Sequence, residues 1–235
     1  GEPLVARAVR AAAGGLPRGS EIVVVVGAHE QAVRGALPQE IEHRVVVAER
    51  WADGLGASLR AGLAACSQTR VMVLLADQPR VDAALVAQVA AEGMGQLDAG
   101  AAAVRPVAAG VPGHPVLLGP IALTRAADLT GDHGLAPLLR DLHVHAIALS
   151  DASPLLDIDR PSDLLLATSG SPAPAPVSAP AKAPRRHGGG GTPRPVRRAA
   201  RTPQITATDL ARQTGMVGAA AGPGEPAAVA LPPWT

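Results

Sequence analysis

The chain has 235 residues, of which 47% are hydrophobic and 17% charged, so we expect one domain with a substantial core. The single cysteine, Cys66, excludes a disulfide framework and a zinc site built from several cysteines. No apolar run approaches the ~18 residues of a membrane span, and no secretory signal opens the chain, which favours a cytoplasmic protein.

The net charge of +1 is distributed unevenly. Residues 170–235 contain eight basic and two acidic residues, which leaves 13 basic and 18 acidic residues before them. This segment is also rich in Pro, Ala, Ser and Gly, so it cannot bury enough apolar surface to offset its ordering entropy. We therefore expect a domain at 1–169 and a disordered tail at 170–235. The tail has no interleaved aromatic residues, which favours a solvated segment over one that binds nucleic acid.

Strand-like and helix-like segments alternate along the first 169 residues. The strongest strand predictions are β-branched runs without polar alternation, at Glu21–Val26, Arg44–Ala48 and Val71–Ala76. Weaker strands are predicted at Ala101–Val107, Val116–Leu118 and Val144–Leu149. Helices are predicted at Leu4–Ala13, Glu30–Leu37, Ser58–Ala65, Asp82–Glu92, Ile121–Leu129 and Pro161–Ala167, with Asp82 as an N-cap. The alternation is typical of a mostly parallel α/β sheet with right-handed crossovers.

In open α/β sheets, ligands bind beyond the carboxyl ends of the strands, and one candidate motif lies at such a position. Ala76-Asp77-Gln78-Pro79 directly follows the strongest predicted strand. The Asp77 carboxylate there could bind a divalent cation, since Mg²⁺ takes one or two protein carboxylates together with substrate phosphates. Alternatively, Asp77 only caps the following turn.

A glycine-containing segment, residues 51–60 (WADGLGASLR), follows the second predicted strand. Gly54, Gly56 and Ser58 precede or open a helix, where backbone N–H groups could contact an anion or a nucleotide. A tight strand-to-helix turn is the alternative. Trp51 is either a packing residue or a stacking platform.

Two further loops contain candidate substrate contacts. His114, in Gly113-His114-Pro115, either donates a hydrogen bond to a phosphate or carbonyl group or is an ordinary turn residue. Asp132 lies between Gly131 and Gly134, and these glycines permit a close approach of the backbone to a ligand. Alternatively, the segment is a plain loop.

Two acidic residues near the end of the predicted domain form the last candidate. Asp157 and Asp159 lie on the same side of an extended segment, and close to Asp77 they would complete a metal site. Alternatively, Asp159 caps the helix that follows and Asp157 is a surface charge.

The order of these motifs resembles that of the MobA-like nucleotidyltransferases, and most closely the molybdenum cofactor cytidylyltransferases. The matching segments are W-A-D-G-L-G-A-S-L-R, L-L-A-D-Q-P, G-V-P-G-H-P-V-L-L, T-G-D-H-G-L-A-P-L-L and L-L-D-I-D-R-P-S-D-L. The resemblance extends from about residue 1 to residue 168. It implies a three-layer αβα Rossmann-like sandwich and a reaction that joins a nucleoside monophosphate, from CTP or GTP, to a molybdopterin phosphate with release of pyrophosphate.

The resemblance also implies roles for the candidate residues. Asp77 would be the main Mg²⁺ ligand, and Asp159 or Asp157 would supply the second carboxylate. His114 and Asp132 would face the molybdopterin-type substrate, and a molybdenum hydroxylase would be a possible partner. The nucleotide would be lined by Gly54, Gly56 and Ser58.

Members of this family begin with a strand and a glycine-rich loop that cradles the triphosphate, whereas Gly1-Glu2-Pro3-Leu4 resembles the segment after that loop. We therefore expect a sheet without its first, central strand and reduced stability for this chain. Two other functions stay open. One is an NAD(P)H-dependent oxidoreductase similar to nicotine blue oxidoreductase, although the sequence contains no dinucleotide fingerprint. The other is a non-catalytic carrier of molybdopterin.

Overall fold

A computed structural model describes residues 1–132, 134–155, 218–220 and 227–231, the last two ranges through their backbone. The helices are α1 (Leu4–Gly15), α2 (Glu30–Ala36), α3 (Leu55–Ala65), α4 (Ala83–Asp98), α5 (Pro120–Ala126) and α6 (Ala136–Arg140). The strands are β1 (Glu21–Val26), β2 (Arg44–Val47), β3 (Val71–Leu75), β4 (Ala103–Ala108), β5 (Val111–Pro112), β6 (Val116–Leu118), β7 (Val144–Leu149), β8 (Gly218–Ala220) and β9 (Ala227–Leu231).

These strands form one sheet in the order β2-β1-β8-β9-β3-β6-β4-β5, with β7 parallel to β4. The sheet is mixed, which refines the prediction of a mostly parallel one. The strand direction reverses at a hairpin in which β5 pairs antiparallel with β4, across a turn where Ala109 and Gly110 both have positive φ. Because the chain has turned back, β6 runs antiparallel to both β3 and β4.

Two strands come from the segment predicted to be disordered. Strand β9 runs parallel to β1 and β3, and β8 runs antiparallel to them. Both lie between β1 and β3, at the centre of the sheet, where unpaired strand edges would otherwise be exposed. They are exceptions to the disorder predicted for 170–235, and composition gives no sign of them because the pairing partners lie far away in the sequence.

Helices cover the sheet in two groups, which gives the three-layer αβα architecture. Helices α1 and α4 pack against each other, and α4 also contacts β4 and β6. Helix α3 contacts β1, β2 and α5, and α5 contacts α6. The valines of β1 that lie between the layers are almost completely buried, as the absence of polar alternation predicts.

Tight packing between α1 and α4 depends on small residues. A Cβ atom on Gly15 would lie 2.4 Å from the Ala83 carbonyl oxygen and 2.5 Å from Val86 Cβ. The predicted N-cap of α4 is confirmed, since an Asp82 side-chain oxygen accepts a hydrogen bond of 2.9 Å from the Leu85 N–H. These contacts fix α4, and with it the turn that joins β3 to α4.

Candidate active site

Three polar side chains are buried in the part of the chain whose side chains are described, and all three lie in predicted motifs. Asp77 is 2% exposed, Ser58 3% and Gln78 5%. Asp77 and Gln78 lie two and three residues after β3, while Ser58 lies in the first turns of α3. Burial of a carboxylate is costly, so fold stability alone does not favour an aspartate here. The carboxyl end of β3 is thus the strongest candidate for a functional site.

The structure brings two of the predicted loops into direct contact. Gly54 has φ of +107°, and a Cβ atom added to it would lie 2.2 Å from Asp132 Oδ1. The Gly56 N–H donates a hydrogen bond of 2.9 Å to the Gly131 carbonyl oxygen. A Cβ atom on Gly56 would lie only 3.0 Å from that same oxygen. Both glycines are therefore needed so that the loop carrying Asp132 can approach the start of α3.

This contact also uses backbone groups that could otherwise bind an anion. The Gly56 N–H is bonded to Gly131, and the Ala57 N–H is 3.1 Å from the Gly54 carbonyl oxygen. The Ser58 hydroxyl is buried just behind them. The structure thus gives the two glycines a packing role, and their contact with a nucleotide stays a prediction.

Trp51 packs at the carboxyl ends of the neighbouring strands. A Cβ atom on Gly27, directly after β1, would lie 2.8 Å from both Cβ and Cγ of Trp51. The Trp51 N–H also donates a hydrogen bond of 3.0 Å to the carbonyl oxygen of Ala48, which follows β2. The packing interpretation of Trp51 is therefore the one that its contacts support.

His114 lies on the opposite side of Asp77 from these loops. The antiparallel register pairs Val73 of β3 with Val116 of β6, and His114 comes two residues before Val116, towards the carboxyl end of β3. Burial, together with a smaller contribution from the positive charge of Arg105, lowers the pKa of the His114 imidazole to about 3. His114 is thus neutral at physiological pH, so one ring nitrogen carries a proton and the other accepts.

Arg105 is a neighbour of His114 that the sequence analysis did not identify. It lies on β4, is partly buried, and donates a hydrogen bond of 3.3 Å from Nε to the Gly113 carbonyl oxygen. Burial lowers the pKa of its guanidinium group. The signal in the sequence is that Arg105 is the single charge within the otherwise apolar run Ala101–Ala108.

Further polar groups follow β7 at the same edge. The exposed Asp151 carboxylate accepts hydrogen bonds from the Ser153 hydroxyl and, at 2.9 Å, from the Ser153 N–H. These bonds lower the pKa of Asp151, with a smaller contribution from the positive charge of Arg80. Asp157 and Asp159 lie outside the described residues, so their predicted part in a metal site stays a prediction.

Among the described residues, the carboxylate of Asp77 could bind a divalent cation as its single protein ligand. Asp77 offers the hard oxygen ligands that Mg²⁺ prefers, in a mode where substrate phosphates and water complete the coordination. No group of three or more His, Cys, Asp or Glu side chains suitable for a metal occurs among the residues described. Within the same residues, no helix has the length and apolar character needed to span a membrane.

The fold and the polar carboxyl edge define a class of protein, the α/β nucleotidyltransferases. The chain belongs to the family described as the MobA-like NTP transferase domain, which matches residues 1–147. The resemblance stated from the motifs is therefore confirmed at the level of the family. A search of curated protein sequences gave no match.

Solved structures with a similar fold come from mycobacteria. Rv0371c from Mycobacterium tuberculosis H37Rv is 24% identical, with a TM-score of 0.58, over 71% of this chain and 84% of that one. Its complex with manganese gives 22% identity and a TM-score of 0.57, over 72% and 86% of the two chains. A homologue from Mycobacterium sp. strain JC1 is 25% identical, with a TM-score of 0.54, over 70% of this chain and 80% of that one.

Proposed function

We propose that this protein transfers CMP from CTP to the terminal phosphate of a molybdopterin-type acceptor and releases pyrophosphate. Family membership makes nucleotidyl transfer the class of reaction. The finer assignment of CTP and of the acceptor rests on the motif order given above. The G-H-P segment would contact the acceptor, whereas the T-G-D-H-G segment, which the resemblance also assigns to the acceptor, contacts Gly54 and would lie on the nucleotide side. GTP is the alternative nucleotide.

The observation that carries the proposal is the buried Asp77 carboxylate at the carboxyl end of β3. In this class of reaction the protein chiefly positions two anionic substrates and offsets the charge that develops during transfer. A cation held by Asp77 would neutralise phosphate charge, and the manganese complex of Rv0371c is in keeping with a divalent cation in this fold. We propose Mg²⁺ as that cation.

The order of the strands suggests where each substrate would bind. The Gly54–Asp132 contact lies beyond β1 and β2, and His114 lies beyond β6, with Asp77 at the end of β3 between them. We therefore assign the nucleotide to the glycine side and the acceptor to the His114 side. A neutral His114 would donate one N–H to an acceptor oxygen without adding charge.

Calorimetric titration with CTP, GTP and NADPH, each with Mg²⁺, tests the proposal on the full chain. We expect CTP to bind, and Asp77→Asn to weaken that binding about 10-fold or more, since a charge-assisted contact is lost. Asp82→Asn is the matched control, because asparagine caps a helix as well as aspartate does. Binding of NADPH alone would support the oxidoreductase instead, and binding of no nucleotide would favour a carrier.

A further inference from the structure

Arg105 is a partly buried cation without a carboxylate partner in the part of the chain that the structure describes. Six ion pairs occur among those residues, and Arg105 is in none of them. Its one hydrogen bond, from Nε to Gly113, is to a neutral carbonyl oxygen. Arginine does not lose its proton inside proteins, so a buried guanidinium needs an anion or several acceptors.

Among the described residues, those next to Arg105 offer hydrogen-bond donors, and none of them forms an ion pair with it. Arg105 bonds to the carbonyl oxygen of Gly113, the residue directly before His114, and its positive charge lowers the pKa of the His114 imidazole. Among the described residues, His114 makes no side-chain hydrogen bond, and Arg105 uses only its Nε–H. Arg105 and His114 are both only partly buried, so neither side chain is fully enclosed.

The position of Arg105 on the sheet indicates which substrate phosphate the Arg105–His114 pair would bind. Val104 and Leu117 both contact the position of Gly93 on α4, so Arg105, which is adjacent to Val104 on β4, projects to the opposite face of the sheet. This face ends at the same edge as Asp77, on the side away from the Gly54–Asp132 contact. A phosphate group there would lie on the acceptor side of the site.

We propose that Arg105 and His114 form a binding subsite for the phosphate group of the acceptor, with the guanidinium group as its charged anchor. The planar guanidinium fork matches two phosphate oxygens, which a lysine ammonium group cannot do. The neutral imidazole adds a single N–H donor. This inference rests on the proposed function for its acceptor, whereas the anion subsite itself rests on the positions and charges of Arg105 and His114.

The test has two arms, both on the full chain. In the first, inorganic phosphate is the probe, and thermal unfolding is followed as its concentration rises. We expect phosphate to raise the Tm of the wild type, and Arg105→Met to lose most of that rise. Arg70→Met is the matched control, because Arg70 is also partly buried but pairs with Asp98.

In the second arm, the KM for the phosphate-bearing acceptor is compared with the KM for CTP. We expect Arg105→Met to raise the acceptor KM about 10-fold or more and to change the CTP KM less than about 2-fold. Arg105→Lys should recover only part of the loss, since it keeps the charge without the fork. If Arg105→Met does not fold, Arg105→Lys replaces it as the test variant.

The outcomes separate the two proposals. Protection by phosphate that depends on Arg105, in a protein with no transferase activity, would reject the proposed function and keep the subsite. Transfer with an unchanged acceptor KM in Arg105→Met would reject the subsite alone. An equal rise in both KM values would assign the anion to the nucleotide and also overturn the inference.

Discussion

Replacing Gly54 with alanine tests the contact between the two loops that the structure brings together. Gly54 has φ of +107°, where a side chain costs about 1–3 kcal/mol of backbone strain. The new Cβ would also lie 2.2 Å from Asp132 Oδ1 and 2.8 Å from the Gly131 carbonyl oxygen. Because the Gly131 backbone cannot move as freely as a side chain tip, this overlap adds about 1–3 kcal/mol. We expect a total loss of about 2–6 kcal/mol.

Gly100→Ala is the control, since Gly100 has φ of +99° but nothing within 4 Å of the added Cβ. It should show the strain cost alone. Urea unfolding of both variants, with m-values compared to confirm that a single transition is measured, gives the two free energies of unfolding. The difference between the variants should be about 1–3 kcal/mol. If Gly54→Ala costs no more than Gly100→Ala, the two loops do not meet as described, and the glycine side of the proposed site loses its support.

Three further predictions concern packing and protonation. Gly15→Ala should lower the free energy of unfolding by about 2 kcal/mol, because the added Cβ would lie 2.4 Å from the Ala83 carbonyl oxygen, whereas the exposed Gly35→Ala should be neutral or stabilising in the same urea titration. Equal effects would show that α1 and α4 are not packed as described. Burial raises the pKa of the Cys66 thiol to about 12, so a disulfide reagent at pH 8 should modify it about 1,000-fold more slowly in the native protein than in urea. Similar rates would mean that Cys66 is accessible. The folded pKa of His114, about 3, lies below its ordinary 6.5, so the unfolded state binds the proton first and stability falls as pH drops from about 6.5 towards 3. His114→Gln should flatten this fall between pH 7 and pH 5, and an unchanged slope would contradict the burial of the ring.

Local sequence patterns predicted most of the elements because their causes are local. The β-branched run Glu21–Val26 is β1 without change, and Val116–Leu118 and Val144–Leu149 are β6 and β7 without change. Helix α3 begins at Leu55, three residues before the prediction, because Gly54 and not Ser58 precedes its first turn. Glycine at that position is required by a contact with another loop, which no local pattern contains.

The features that the sequence did not predict depend on distant partners. The pairing of β9 with β1 and β3 joins residues far apart in the chain, and its small apolar residues give no strong strand signal. Arg105 could not be predicted as a site residue for a related reason. Its proposed role depends on its proximity to His114 and on the absence of a carboxylate among its described neighbours. Asp77, in contrast, could be singled out from the sequence because it follows a predicted buried strand, and the structure shows that it is buried, while its role as a metal ligand stays a prediction.

The most direct test of the account follows the α-phosphate of CTP. The protein is incubated with CTP labelled at the α-phosphate, Mg²⁺ and a molybdopterin-type acceptor, and the label is followed into the product while pyrophosphate is quantified. We expect the label to enter the acceptor together with an equal amount of pyrophosphate, at a rate that Asp77→Asn lowers about 100-fold or more and Asp82→Asn leaves unchanged. Full transfer by Asp77→Asn, or no transfer by the wild type, would contradict the claim that the buried carboxylate after β3 serves nucleotidyl transfer.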